Sequence, residues 1–133
     1  VDGMESVLDA ALAADLDAPV RAARAAAVGE AFTRAREILG GRAPADPSAA
    51  DAWNSAVQVL AFRIEHAAGL DAFESVLGLR RWGVTWDVIG RAAGMSRQAA
   101  HARWGAQVHA TLDRYGTGEL GGPVASDEGD LTS

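Results

Sequence analysis

No cysteine occurs in the 133 residues, which removes disulfides, thiolate metal sites and cysteine nucleophiles together. Lysine is absent as well, so all 12 basic residues are arginine. With the heavy alanine content, that looks like codon bias in a GC-rich genome. Long apolar runs are missing too. The longest stretch free of charge, Ala52 to Phe62, is 11 residues, against the ~20 that a membrane helix needs. No basic region precedes an apolar run near residue 1, so a secretory signal is not expected and a cytoplasmic location is. Alternating apolar strands do not occur, whereas helical spacing and helix punctuation recur throughout. The expectation is an all-α chain whose 49% hydrophobic content suffices for one real core.

Charge is unevenly distributed. The net is −6, divided as −4 over residues 1–70, −2 over 71–77, +4 over 78–115 and −4 over 116–133. An acidic total argues against general affinity for polyanions, but one cationic segment can still supply a local footprint for phosphates.

Punctuation divides the chain into helices. A first helix is expected from about Gly3 to Leu16, with Val7, Leu8, Ala11 and Leu12 on one face. Asp17-Ala18-Pro19 reads as a break and restart. The second helix then runs to Leu39 on a stripe of Val20, Ala27, Val28, Ala31, Phe32 and Ala35, and Gly40-Gly41 ends it. Asp46 caps a third helix whose first position is Pro47. That helix carries Trp53, Val57, Leu60 and Ile64 on one seam, with Val59 and Phe62 off it. An apolar surface on more than one face makes a helix either central in the fold or shared with a second copy. A half of roughly 70 residues also gains much from dimerising, because its surface-to-volume ratio is high. Asp71 and Glu74 resemble a capping box for a fourth helix, which Gly83 closes. The expected organisation is an N-terminal helical dimerisation region over 1–68, a helix-turn-helix over 69–116 and an acidic, flexible tail over 117–133.

Function is expected in residues 80–108. Thr85 can cap a short helix from Trp86 to Ala93, Gly94 can end it in the left-handed conformation, and Ser96 can cap the next helix from Arg97. Two short helices across so tight a turn must approach closely, which suits Gly90, Ala93 and Ala100 at the contact, with Ile89, Met95 and Trp104 filling the core. Arg97, Gln98 and His101 would then face outward. Arginine pairs bidentately with guanine and glutamine with adenine. Arg80, Arg81, Arg91 and Arg103 surround the unit and are candidate phosphate contacts. Trp53, Trp82, Trp86 and Trp104 lie on apolar stripes or at helix ends and read as core anchors.

The run Thr85-Trp86-Asp87-Val88-Ile89-Gly90-Arg91-Ala92-Ala93-Gly94-Met95-Ser96-Arg97-Gln98-Ala99-Ala100 resembles the helix-turn-helix of sigma factor region four and of many small actinobacterial DNA-binding proteins. The resemblance covers about a quarter of the chain. It implies that the second helix enters the major groove, with Arg97, Gln98 and His101 as base readers. Ser96 at its start and Thr85 as a phosphate contact complete the implied DNA-binding set. Two departures stand out: Arg103 occupies a position where that family has an aliphatic residue, shifting the apolar anchor to Trp104, and Gly105 sits inside the expected helix.

Enzyme chemistry has no support in the sequence. His101 and His109 are eight residues apart with no His-Glu-x-x-His spacing, so no metal set forms. Ser96 has no histidine base near it in sequence, and the glycine pairs at 40–41 and 121–122 lack a phosphate-cradling context. The expected function is therefore sequence-specific binding of double-stranded DNA by a nucleoid-associated transcriptional regulator. It needs no cofactor, dimerises through its N-terminal helices and has RNA polymerase as a further expected contact. The alternative is a protein-interaction module that does not bind DNA, with RNA polymerase, another regulator or a toxin as partner. A ligand-sensing regulator with a pocket among the N-terminal helices is a third reading.

Overall fold

The computed structural model describes residues 2–115, and the side-chain surroundings of 3–112. The tail expected over 117–133 lies outside the described residues. Six helices and no strand occur among them: α1 (Asp2–Ala13), α2 (Asp17–Ile38), α3 (Pro47–Ala67), α4 (Phe73–Arg81), α5 (Trp86–Ala93) and α6 (Arg97–Tyr115). The all-α expectation holds.

Local chemistry accounts for most of the boundaries. Asp46 accepts the Ala49 N–H at 3.0 Å in front of Pro47, which satisfies one of the donors a helix start leaves unpaired. Gly40 and Gly41 both take positive φ after α2, and the Gly41 N–H closes on the Arg36 carbonyl at 2.7 Å. Asp71 accepts from the Phe73 N–H at 3.2 Å at the start of α4. The first break falls earlier than expected. α1 ends at Ala13, and Leu16 already carries helical backbone angles and accepts from the Val20 N–H. The restart is therefore at Asp17, with Pro19 inside the first turn, where its missing N–H costs nothing.

α3 is the central helix. One face, with Val57 and Ala61, meets Ala31 and Ala35 of α2 in a small close-packed cluster flanked by Phe32, Leu39, Trp53 and Leu60. The Trp53 indole N–H donates to the Leu39 carbonyl at 2.7 Å, tying the helix to the end of α2. The opposite face carries Phe62 into the main core, among Val76 and Leu79 of α4, Trp86 and Ile89 of α5, and Ala100, Trp104, Val108 and Leu112 of α6. Phe62 and Trp104 meet edge to face at 5.7 Å, a favoured aromatic geometry. The two apolar faces of α3 are thus both used within one chain. Packing runs unbroken through the junction at 68–69, because the core beneath α4–α6 draws on Phe62 and Val59.

Residues 3–26, by contrast, are all exposed. They include Met4, Val7, Leu8 and Leu12 of α1, and Leu16 and Val20 beyond it.

Candidate nucleic-acid interface

The corner between α5 and α6 is built from a few local devices. Thr85 accepts from the Val88 N–H at 3.2 Å and starts α5. Gly94 ends it at φ 74°, a conformation that side chains with a Cβ resist, and the Met95 N–H returns to the Gly90 carbonyl at 2.8 Å. Ser96 accepts from the Ala99 N–H at 3.0 Å and starts α6. Gly90 is buried at the crossing. A Cβ there would come within 2.8 Å of the Met95 and Ser96 carbonyl oxygens, so only glycine lets α5 approach the chain entering α6. Ala100, on the first turn and a half of α6, is fully buried against this unit.

The corner leaves the start of α6 accessible. Gln98 is exposed and Arg97 is half-buried. His101, one turn on, is also half-buried, and its ring stands edge-on to the Trp86 indole at 5.3 Å. That contact gives Gly105 its purpose: a Cβ at 105 would meet the His101 imidazole at 2.8 Å. The glycine makes room for the ring without breaking the helix, and α6 continues to Tyr115.

The surrounding arginines divide into different roles. Arg103 is exposed, with its guanidinium 4.8 Å from the Trp104 ring centroid, so it packs on an aromatic face while staying available to an anion. Arg91 is exposed and paired with Asp87 at 3.3 Å, a surface pair of small energy that a phosphate can replace. Arg81 is half-buried, with its Nε buried and without a hydrogen-bond partner. Arg80 corrects the sequence expectation, because it is completely buried and cannot reach a phosphate. Its guanidinium lies 4.8 Å from the Trp86 ring centroid and Nη1 donates to the Val84 carbonyl at 2.9 Å. It braces the α4–α5 loop from inside. The reason is its position on α4, one turn after Val76 and Leu77 on the buried face.

Trp82 is a second correction. Expected as a core anchor, it is 72% exposed, while Trp86 and Trp104 are buried and Trp53 half-buried. Sequence reasoning also passed over a buried acid. Glu65 is 2% exposed and accepts the Ser75 hydroxyl at 2.8 and 3.0 Å on its two oxygens. Burial pushes its carboxyl above the usual range, and the Ser75 hydrogen bond opposes that. The available signal was spacing, since Glu65 stands three and four residues after Phe62 and Ala61 on the same face. Among the described residues no group of histidines and acids is arranged to hold a metal ion, and no helix is long and apolar enough to cross a membrane.

No protein-family model, curated protein or solved structure matches this chain.

Proposed function

We propose that this chain is a sequence-specific, double-stranded DNA-binding protein, a transcriptional regulator that places the N-terminal end of α6 in the major groove. The observation that carries the reading is the Gly90 crossing. Glycine there lets α5 and the entry to α6 approach closely, and on the first turn of α6 Gln98 is exposed and Arg97 half-buried, which supports the reading. Both side chains suit base edges. Arg81, Arg91 and Arg103 would position the duplex through phosphates, and Thr85 and Ser96 sit at the two helix starts where a backbone phosphate approaches. His101 contributes through whatever edge its packing on Trp86 leaves free. Two copies joined through their N-terminal helices would favour half-sites about one turn apart, ~34 Å.

Fluorescence anisotropy against a pool of genomic fragments at low salt tests this. Wild type is expected to retain a subset of fragments, and Arg97→Ala or Gln98→Ala to lose about 1–3 kcal/mol of discrimination between that subset and bulk DNA. Arg103→Ala is expected to weaken all sequences alike and lower the salt slope by about 1. A wild-type protein that binds no fragment at low salt sinks the proposal. Two observations favour the protein-interaction reading instead: Arg80 is withdrawn into the core and Arg91 is already paired with Asp87. Both thin the cationic surface that the sequence count suggests.

A further inference from the structure

The described chain carries two unsatisfied surfaces that match each other. The first is α1. Met4, Val7, Leu8 and Leu12 share one face of it and are all exposed, Leu12 to 87%, and Leu16 and Val20 beyond it are exposed as well. A lone 12-residue helix is marginal in water, and a contiguous apolar patch of several hundred Å² marks an interaction site. The second surface is an open groove of about 670 Å³ between α2, α3 and α4, with Val28 and Phe32 on one wall and the exposed Trp82 on the other. Gly29 of α2 and Gly78 of α4 both line it, and a Cβ at either would meet nothing within 4 Å. A glycine inside a helix costs about 1 kcal/mol relative to alanine. Among the described residues nothing fills the space these two leave.

We propose that α1 of one copy seats its apolar face in the α2–α3–α4 groove of a second copy, and reciprocally. This deepens the dimer part of the reading above and is independent of its DNA part.

Charge selects α1 as the occupant. Around the helix, Glu5 and Asp9 fall along one flank of the apolar face, while Gly3, Ser6 and Ala10 fall along the other. The groove has the complementary pattern, with Arg21 and Arg24 on its α2 side and Asp71 and Glu74 on its α4 side. The acidic flank meets the arginines and the small, neutral flank meets the acids. The second copy follows from exposure: every residue from 3 to 26 is exposed, so α1 does not occupy its own groove, and Ala14, Asp15 and Leu16 join it to α2. A two-fold axis would double the contact, as a stable interface of standard size requires.

Sedimentation velocity on the full chain at micromolar concentration, without DNA, decides the matter. Wild type is expected to be a dimer. Leu8→Asp/Leu12→Asp, at exposed positions outside the core, is expected to be monomeric, with far-UV circular dichroism lowered by no more than the share of helix that α1 supplies. Gly29→Leu/Gly78→Leu projects side chains into the groove from positions where an added Cβ meets nothing within 4 Å and is expected to be monomeric as well. Mixing the two variants restores one intact contact, because the α1 of the groove-filled copy fits the open groove of the other. A heterodimer at least tenfold weaker than the wild-type dimer is expected. A monomeric wild type overturns the exchange, as does a groove-filled variant that stays dimeric, which would mean that α1 pairs with α1. A mixture that stays monomeric overturns it too. A wild-type monomer that still retains DNA fragments would defeat the exchange while leaving the DNA reading standing.

Discussion

From Thr85 to Ala100 almost every residue has a partner that explains it, whereas from Gly3 to Ala26 every residue is exposed. Both stretches are helical and both are rich in alanine, so composition does not separate them. What separates them is the kind of information each encodes. The corner is specified by interactions that reach only a few residues: a hydroxyl to a backbone N–H three positions on, a left-handed glycine, a glycine at a crossing. Such devices close within the chain that carries them. The N-terminal stretch encodes an amphipathic stripe, which states that a face will be covered but not by what.

The comparison breaks most sharply at glycine. Gly90→Val places methyl groups against two carbonyl oxygens that belong to the backbone of the corner and cannot swing away. Overpacking of that kind is expected to cost about 3 kcal/mol, read as a lowered midpoint in urea unfolding. Gly78→Ala adds a Cβ into open space on a regular helix and is expected to raise stability by up to about 1 kcal/mol. Equal effects at the two sites would show that the corner is no tighter than an ordinary helical surface.

A smaller effect is expected at the caps. Ser96→Ala removes the acceptor of the Ala99 N–H at the start of α6 and should cost about 1 kcal/mol. The same change should weaken DNA binding beyond its stability cost, because it loosens the turn that carries Arg97 and Gln98. If Ser96→Ala lowers stability but leaves the anisotropy curves unchanged, the capped turn is structural alone.

How much the sequence revealed follows the same division. The starts of α3, α5 and α6 were readable from Asp46, Thr85 and Ser96, and the ends of α2 and α5 from Gly40 and Gly94, because caps act locally. The dual role of α3 was readable from Val59 and Phe62 lying off the main seam. Arg80 was not, since its charge pointed to the surface while its place on α4, one turn beyond Val76, pointed inward. The Trp86 face and the Val84 carbonyl, which only the folded chain brings to it, help make that burial tolerable. Trp82 fails in the opposite sense. It is apolar at a helix end, yet it follows the last turn of α4 on the side away from the core. Gly105 looked like an interruption because its reason, the His101 ring, is a contact within the same helix that depends on where Trp86 sits.

The smallest expected effect lies between the two regions, on α3, at Glu65. This acid lines the groove from α3, and burial raises its carboxyl above 4.5 while the Ser75 hydroxyl pulls the other way. An acid raised on folding holds its proton more tightly in the folded state. Its contribution is therefore fully present below the unfolded value and is lost as pH rises through the folded one. At neutral pH the buried charge is a net cost. Glu65→Gln keeps an oxygen for the Ser75 hydroxyl and removes the charge, so the melting temperature at pH 7 is expected to rise by a few degrees, with little change near pH 4. The gain should open progressively as pH climbs from 4.5. A gain of the same size at both ends of that range would assign it to packing instead of charge. The Ser75 hydroxyl would then suffice to hold the carboxylate in the groove wall where α1 of a second copy is proposed to lie.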